Sequence, residues 1–261
     1  MSVSGTQAID RAAALLSLVV YADHPCSYGD LVAETGLARS TASRLLAALE
    51  RHHLLGRDAA GGYHPGSLFA VHAARHEPTE ALVRAAEPFL DEVNHATGET
   101  VNLAVPSGEG VVQVAQVDST FQLGAGNWVG VQVPPHCSAL GKVLYAYEAI
   151  PAPRGRLERR TERTVATPAE LERQLGEVRS RGFAYTHGEL EEGLDGVAAP
   201  VRGRDGTVLA ALGVSGPSFR MVDSLDEIAA LVVSQSDRLS LDMGYHPDHP
   251  AHPRPTRRQQ Q

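Results

Sequence analysis

The chain has 261 residues, 43% of them hydrophobic and 21% charged, with a formal net charge of -8. That length exceeds one ordinary domain and the composition is that of soluble globular protein, so two domains with ample core are expected. The acidic balance excludes indiscriminate nucleic-acid binding. The longest apolar runs, Ala12 to Tyr21 and Ile228 to Val233, are too short to span a bilayer. No basic segment followed by an apolar stretch opens the chain, so no secretory signal is read there. Cys26 and Cys137 lie far apart and fit no zinc or CxxC spacing, which points to a cytoplasmic chain with reduced thiols. The charge is uneven: residues 1–76 hold six arginines and six carboxylates, and the excess acid lies beyond them.

A first helix is expected from about Thr6 to Tyr21, with Ile9, Ala12, Ala13, Leu16, Val19 and Val20 on one face. Asp23-His24-Pro25 ends it. Ser27 then caps a short helix that buries Leu31 and Val32, and Gly36 supplies the tight turn. A third helix, about Ala38 to His52, buries Ala42, Leu45, Leu46 and Leu49. It leaves Arg39, Ser40, Thr41, Ser43 and Arg44 in its first two turns. Alone, such a face is most simply a solvated one. Second in a helix-turn-helix, the same residues suit a DNA groove: small hydroxyls permit close approach, and arginine bonds phosphate or grips guanine. Leu54 to Arg57 and Gly62 to Pro65 read as the two strands of a wing, with Arg57 placed to touch phosphate. Ser67 to Arg75 returns as a helix whose Leu68, Phe69, Val71 and His72 cap the small core.

Glu77-Pro78-Thr79 marks a boundary, and a linker helix follows to about Ala96, kinked or divided at Pro88. From Thr100 the period becomes that of strands. Val101 to Val105 and Gly110 to Val117 form a hairpin. An irregular segment with the only tryptophan, Trp128, leads to Pro134–Lys142 and a helix. Thr167-Pro168 opens a further helix to Arg181. Phe183 to His187 is a strand, and Glu189 to Asp195 a solvated acidic loop. Val197 to Val201 and Thr207 to Ser215 pair, and Leu225 to Met243 closes the domain. The tail from 245 to 261, rich in Pro, His and Gln, is expected to be disordered. Its His246, His249 and His252 offer only a weak metal reading. Strands flanked by helices give an α+β class.

Several sharper readings compete. Cys137 between His136 and Ser138 admits a small-molecule hydrolase, but no GxSxG elbow or oriented base is visible. Gly141-Lys142 lacks the remaining residues of a phosphate loop. A sensor or scaffold that binds no DNA is the third alternative. Neither a cofactor nor a metal is expected.

Taken together, AIDRAAALLSLV, LVAETGLARSTASRLLAALE, GYHPGSLFAVHAA, GVQVPPHCSALGKVLYAY and GFAYTHGELEEGLDGVAAPVRGRDGTVLAALGVSGP resemble the IclR family of bacterial transcriptional regulators. The resemblance covers nearly the whole chain and rests on the order and spacing of these pieces. It implies a winged helix-turn-helix DNA-binding domain (1–76), a linker helix (77–97) and a GAF-like effector-binding domain with a curved antiparallel sheet (98–244). It further implies a homodimer or homotetramer on a palindromic promoter operator, repression as the commoner outcome, and a small organic effector. Trp128, Val129, Cys137, Ser138, Glu189, Gly196 and Ser215 are the implied effector-binding residues, with Glu189 also fitting a structural role at the pocket mouth. Thr186, Gly196 and Gly213 depart from the acid, cysteine and serine common in relatives. A larger, more apolar effector than glyoxylate, such as an aromatic or acyl acid, is the resulting expectation.

Overall fold

The structure, a computed structural model, describes residues 6–74, 78–124 and 126–247. It parts into two compact units between Glu80 and Ala81. The first contains α1 (Thr6–Val20), α2 (Tyr28–Thr35), α3 (Arg39–Arg51), a hairpin of β1 (Leu55–Arg57) and β2 (Tyr63–Pro65), and α4 (Ser67–Ala73). Ser27 caps α2 by accepting from the Asp30 N–H at 3.1 Å, and Gly36 ends it in the left-handed conformation at φ +61°. The core gathers Leu15, Val19, Leu31, Leu46, Leu49, Leu55 and Tyr63.

Two expectations fail here. The buried stripe of α1 is Leu15 and Val19, at i and i+4, and Ile9 is 68% exposed. Ile9 lies six residues before Leu15, roughly 120° round the helix at about 100° per residue. Likewise α4 buries no residue, and Leu68, Phe69 and Val71 are exposed, because Leu55 and Tyr63 of the hairpin already complete the core.

In the second unit α5 (Pro78–Thr97) runs through Pro88 as one helix, so of the kink or division expected there the division is absent. Pro88 and Arg84 both lie on its exposed side, away from the packed face of the helix. Then follow β3 (Thr100–Ser107), β4 (Gly110–Val117), β5 (Gln132–Val133), α6 (Ala139–Ala146), α7 (Pro168–Arg181), β6 (Ala184–His187), β7 (Leu194–Arg202), β8 (Val208–Pro217), α8 (Ser218–Met221) and α9 (Leu225–Asp242). The strands form one antiparallel sheet in the order β5-β4-β3-β8-β7-β6.

Strand alternation sorts the side chains by size. Val101, Leu103, Val197, Ala199, Val201, Leu212 and Val214 pack beneath Leu82, Ala86, Phe89, Leu90 and Val93 of α5 and Ile228, Val232 and Leu239 of α9. The opposite face carries smaller residues, Ala104, Ala198 and Ala211 among them, against Val143 and Leu144 of α6 and Leu171, Leu175 and Val178 of α7. Those small residues let α6 approach closely. A Cβ on Gly213 would lie 2.7 Å from the Val197 carbonyl oxygen and 3.0 Å from Leu140 Cδ2. One on Gly141 would lie 2.3 Å from both Cα and carbonyl oxygen of Pro135.

The stretch expected to be a solvated acidic loop divides. Glu191 and Glu192 are exposed, whereas Glu189 and Asp195 are buried and bonded, Asp195 within β7. Replacing Gly141 with alanine should lower stability by about 1–3 kcal/mol, since the obstacle is backbone that cannot step aside; urea unfolding of the full chain measures it.

Candidate functional site

Two sites emerge, one in each unit. In the first, α3 separates its faces as its sequence requires: Ala42, Leu46 and Leu49 are buried, while Arg39, Ser40, Ser43 and Arg44 are exposed and Thr41 is half-buried. The Tyr28 hydroxyl donates to the Arg39 carbonyl at 2.7 Å, which ties the start of α3 to α2. Ala38, at the N-cap, supplies no side-chain bond, and its carbonyl accepts from the Thr41 and Ala42 N–H groups at 2.9 and 3.0 Å. Neither Arg39 nor Arg44 enters an ion pair among the described residues.

Arg57 is placed otherwise than expected. Its guanidinium pairs with Glu50 at 2.8 Å, donates to the Tyr63 hydroxyl and lies 4.4 Å from the centre of the Tyr63 ring. It braces the wing against the end of α3 while about half of its side chain, 49%, stays exposed.

In the second unit a cavity lies between the sheet and the N-terminus of α6. Of the residues expected there, Trp128, Cys137, Ser138, Gly196 and Ser215 line it. Val129 is 47% exposed and lies off it, and Glu189 turns away to an ion pair. The space that can hold the centre of a water molecule is about 50 Å³, within about 490 Å³ of atom-free volume that includes open solvent. One water needs roughly 10–15 Å³ by the stricter measure, so only a few waters or a small molecule fit. The enlarged apolar pocket expected from the glycines is absent. The Gly213 position is filled by Leu140 and the Val197 backbone, and a Cβ on Gly196 would already touch Thr186 Oγ1 at 3.2 Å.

Ser138 caps α6, its hydroxyl accepting from the Gly141 N–H at 3.1 Å. The next two helix residues, Ala139 and Leu140, line the cavity, so the positive end of the helix faces it. Behind them Lys142, 1% exposed, donates to Glu189 at 2.5 Å. Burial pulls the lysine below its ordinary pKa, and the glutamate beside it opposes that. Burial, reinforced by the Glu189 charge, pushes the Cys137 thiol up to about 11. Its Sγ points at the Pro134 carbonyl, 3.5 Å away.

Four further residues escaped the sequence reading. Asn102 and Gln113 line the cavity from β3 and β4; each interrupts an apolar run, Asn102 between Val101 and Leu103 and Gln113 between Val112 and Val114, which was the available signal. Lys142 had been considered only as part of a phosphate loop. Asp195, also on the wall, accepts from Tyr185 at 2.7 Å, Ser218 at 2.5 Å and the Gly188 N–H at 3.2 Å, and bonds His187 Nδ1 at 2.8 Å. Burial alone would raise its pKa, but these bonds outweigh that and hold it below the ordinary carboxylate value. Among the described residues no group of three potential ligands could hold a metal, and His249 and His252 lie outside them. No helix of the described residues is long and apolar enough to cross a membrane.

A winged helix-turn-helix followed by a GAF-like domain with a small internal cavity defines a ligand-responsive DNA-binding regulator. Residues 8–59 match the IclR helix-turn-helix domain, and residues 78–241 match the family described as bacterial transcriptional regulator IclR C-terminal. The chain belongs to the IclR family. It is 30% identical over 252 residues to the HTH-type transcriptional regulator BhcR of Paracoccus denitrificans, covering 94% of this chain and 90% of that one. It is 31% identical over 251 residues to the glycerol operon regulatory protein of Streptomyces coelicolor, covering 91% and 96%. A solved IclR-type regulator from Silicibacter sp. TM1040 superposes with a TM-score of 0.73 at 26% identity, covering 94% of this chain and 99% of that one.

Lys142→Met should cost about 3–5 kcal/mol by stranding the buried Glu189 charge, and adding Glu189→Met should recover most of it; denaturant unfolding of the single and double variants reads this directly. In the folded protein at pH 8, Cys137 should resist iodoacetamide while the same thiol reacts readily in denaturant, as peptide mass mapping would show.

Proposed function

We propose that this regulator represses a catabolic operon by seating α3 of two or more copies on a palindromic promoter operator, and that a small carboxylate in the second unit's cavity releases it. The observation that carries this is the division of α3: one face is buried in the domain core, and the other presents Arg39, Ser40, Ser43 and Arg44 to solvent without competing ion pairs among the described residues. The domain's near-neutral charge supports a need for a second copy, because few phosphates can be neutralised by one. Half-sites about one helical turn apart then match the two reading heads.

Cavity size and the helix end support a small acid over an aromatic one. A carboxylate at the N-terminus of α6 meets free N–H groups and the positive end of the helix dipole. Binding there favours one of two arrangements of the oligomer and depopulates the other, which is all that release from DNA requires. Cytoplasmic action follows from the target. The hydrolase reading loses its nucleophile, since a thiol with a pKa of about 11 is almost wholly protonated at neutral pH and points at a backbone carbonyl.

Arg44→Ala should weaken operator binding by about 1–3 kcal/mol and relax specificity at the base it reads. If the side chain touches only phosphate, the loss will be uniform across sequences, with a shallower salt dependence. Fluorescence anisotropy with operator and scrambled duplexes at several salt concentrations separates these results, and undiminished affinity would remove Arg44 from the interface.

A further inference from the structure

The cavity contains two polar side chains that its established parts do not use. Asn102 is 2% exposed and Gln113 6%, and both line the cavity from the sheet. They share one face: Asn102 and Ala104 alternate on β3, and Gln113 stands opposite Ala104 on β4. The Asn102 amide donates to Ser215 Oγ at 3.3 Å, and Ser215 lines the same cavity. The carboxamide oxygens of both Asn102 and Gln113 lack any hydrogen-bond partner in the protein. A buried acceptor left so costs free energy that an apolar residue of the same shape would not incur. Two such groups flanking one cavity fit a ligand that brings donors of its own.

The geometry points to Asn102 and Gln113 as specificity-determining residues that select a short hydroxylated carboxylate, its hydroxyl groups donating to the two carboxamide oxygens while its carboxylate meets the α6 N-terminus. This rests on the cavity being the effector site. A hydroxyl fits better than an ammonium, because a buried cation would need a counter-charge. The nearest carboxylate on the wall, Asp195, is already engaged by Tyr185, His187, Ser218 and the Gly188 N–H. The small volume limits the ligand to a few heavy atoms beyond the carboxylate. Ser215 extends the network, since its hydroxyl, accepting from Asn102, keeps its own proton to offer.

Propionate, lactate and glycerate share a three-carbon skeleton and carry no, one and two hydroxyls, so they isolate the contribution of donors. Isothermal titration calorimetry of each acid into the full-length protein should give affinity rising in that order, with glycerate about tenfold or more tighter than propionate. In Gln113→Met and Asn102→Leu, which keep similar side-chain volume, that ratio should fall to about twofold or less, while the ligand-free melting temperature holds or rises in Gln113→Met because an unpartnered acceptor is gone. A purely structural role would instead lower the melting temperature and weaken all three acids alike, and that result would overturn the assignment. So would equal binding of propionate and glycerate to the unaltered protein, although the cavity would then stand as a carboxylate site. Failure of all three acids to bind would overturn both the hydroxyl selection and the small-carboxylate effector. Operator binding by the same preparation, measured without any acid, tells independently whether the regulator reading holds.

Discussion

Lys142 and Glu189 come from distant parts of the chain and meet with almost no access to water. Removing two charges from solvent is costly, and their contact offsets that only while both are present and held in register. The register is held by neighbours: Thr164 donates to the Glu189 carbonyl at 2.6 Å, and Thr161 donates to the Gly188 carbonyl at 2.7 Å. Gly141, one residue before the lysine, lets α6 lie against the Pro135 backbone. The pair therefore fixes where α6 begins, and the first turn of α6 is one wall of the cavity. The cavity thus depends on a charge pair that does not itself line it.

The sheet supplies the other wall through a difference between its faces. Branched and large apolar residues face α5 and α9, where they make the bulk of the core. Glycine, alanine and a few polar residues face α6, where they permit close approach at some positions and leave space at others. Gly213 and Gly196 stand where the two kinds meet. Both glycines line the cavity, but a Cβ on Gly213 would meet the Val197 backbone at 2.7 Å, whereas one on Gly196 would meet the Thr186 hydroxyl at 3.2 Å.

The reading head is economical with charge. Arg57 and Glu50 neutralise one another at the wing, and Arg39, Arg44 and Arg51 are left as the outward cations of α3. On the proposed reading such a surface binds DNA weakly as a single copy, which would make affinity sensitive to how copies are arranged. A regulator benefits from that sensitivity, since a ligand worth a few kcal/mol of differential binding then suffices to shift occupancy.

The order of elements, the helix-turn-helix with its Gly36 turn, the buried face of α3, the caps at Ser27 and Thr167 and the hairpin of β3 and β4 were all legible in the sequence. Each depends on local periodicity, capping chemistry or turn residues, which act over a few positions. The site was only partly legible. Trp128, Cys137, Ser138, Gly196 and Ser215, named through resemblance, line the cavity, whereas Val129 and Glu189 do not, and Asn102, Gln113 and Asp195 on its wall and Lys142 behind it were not singled out for it. Whether an acid joins a solvated loop or a buried pair, or a glycine opens space or is filled, depends on residues tens of positions away. Tertiary packing decided those points, because burial and partnership are properties of the assembled sheet and its helices, and no short stretch of sequence carries them.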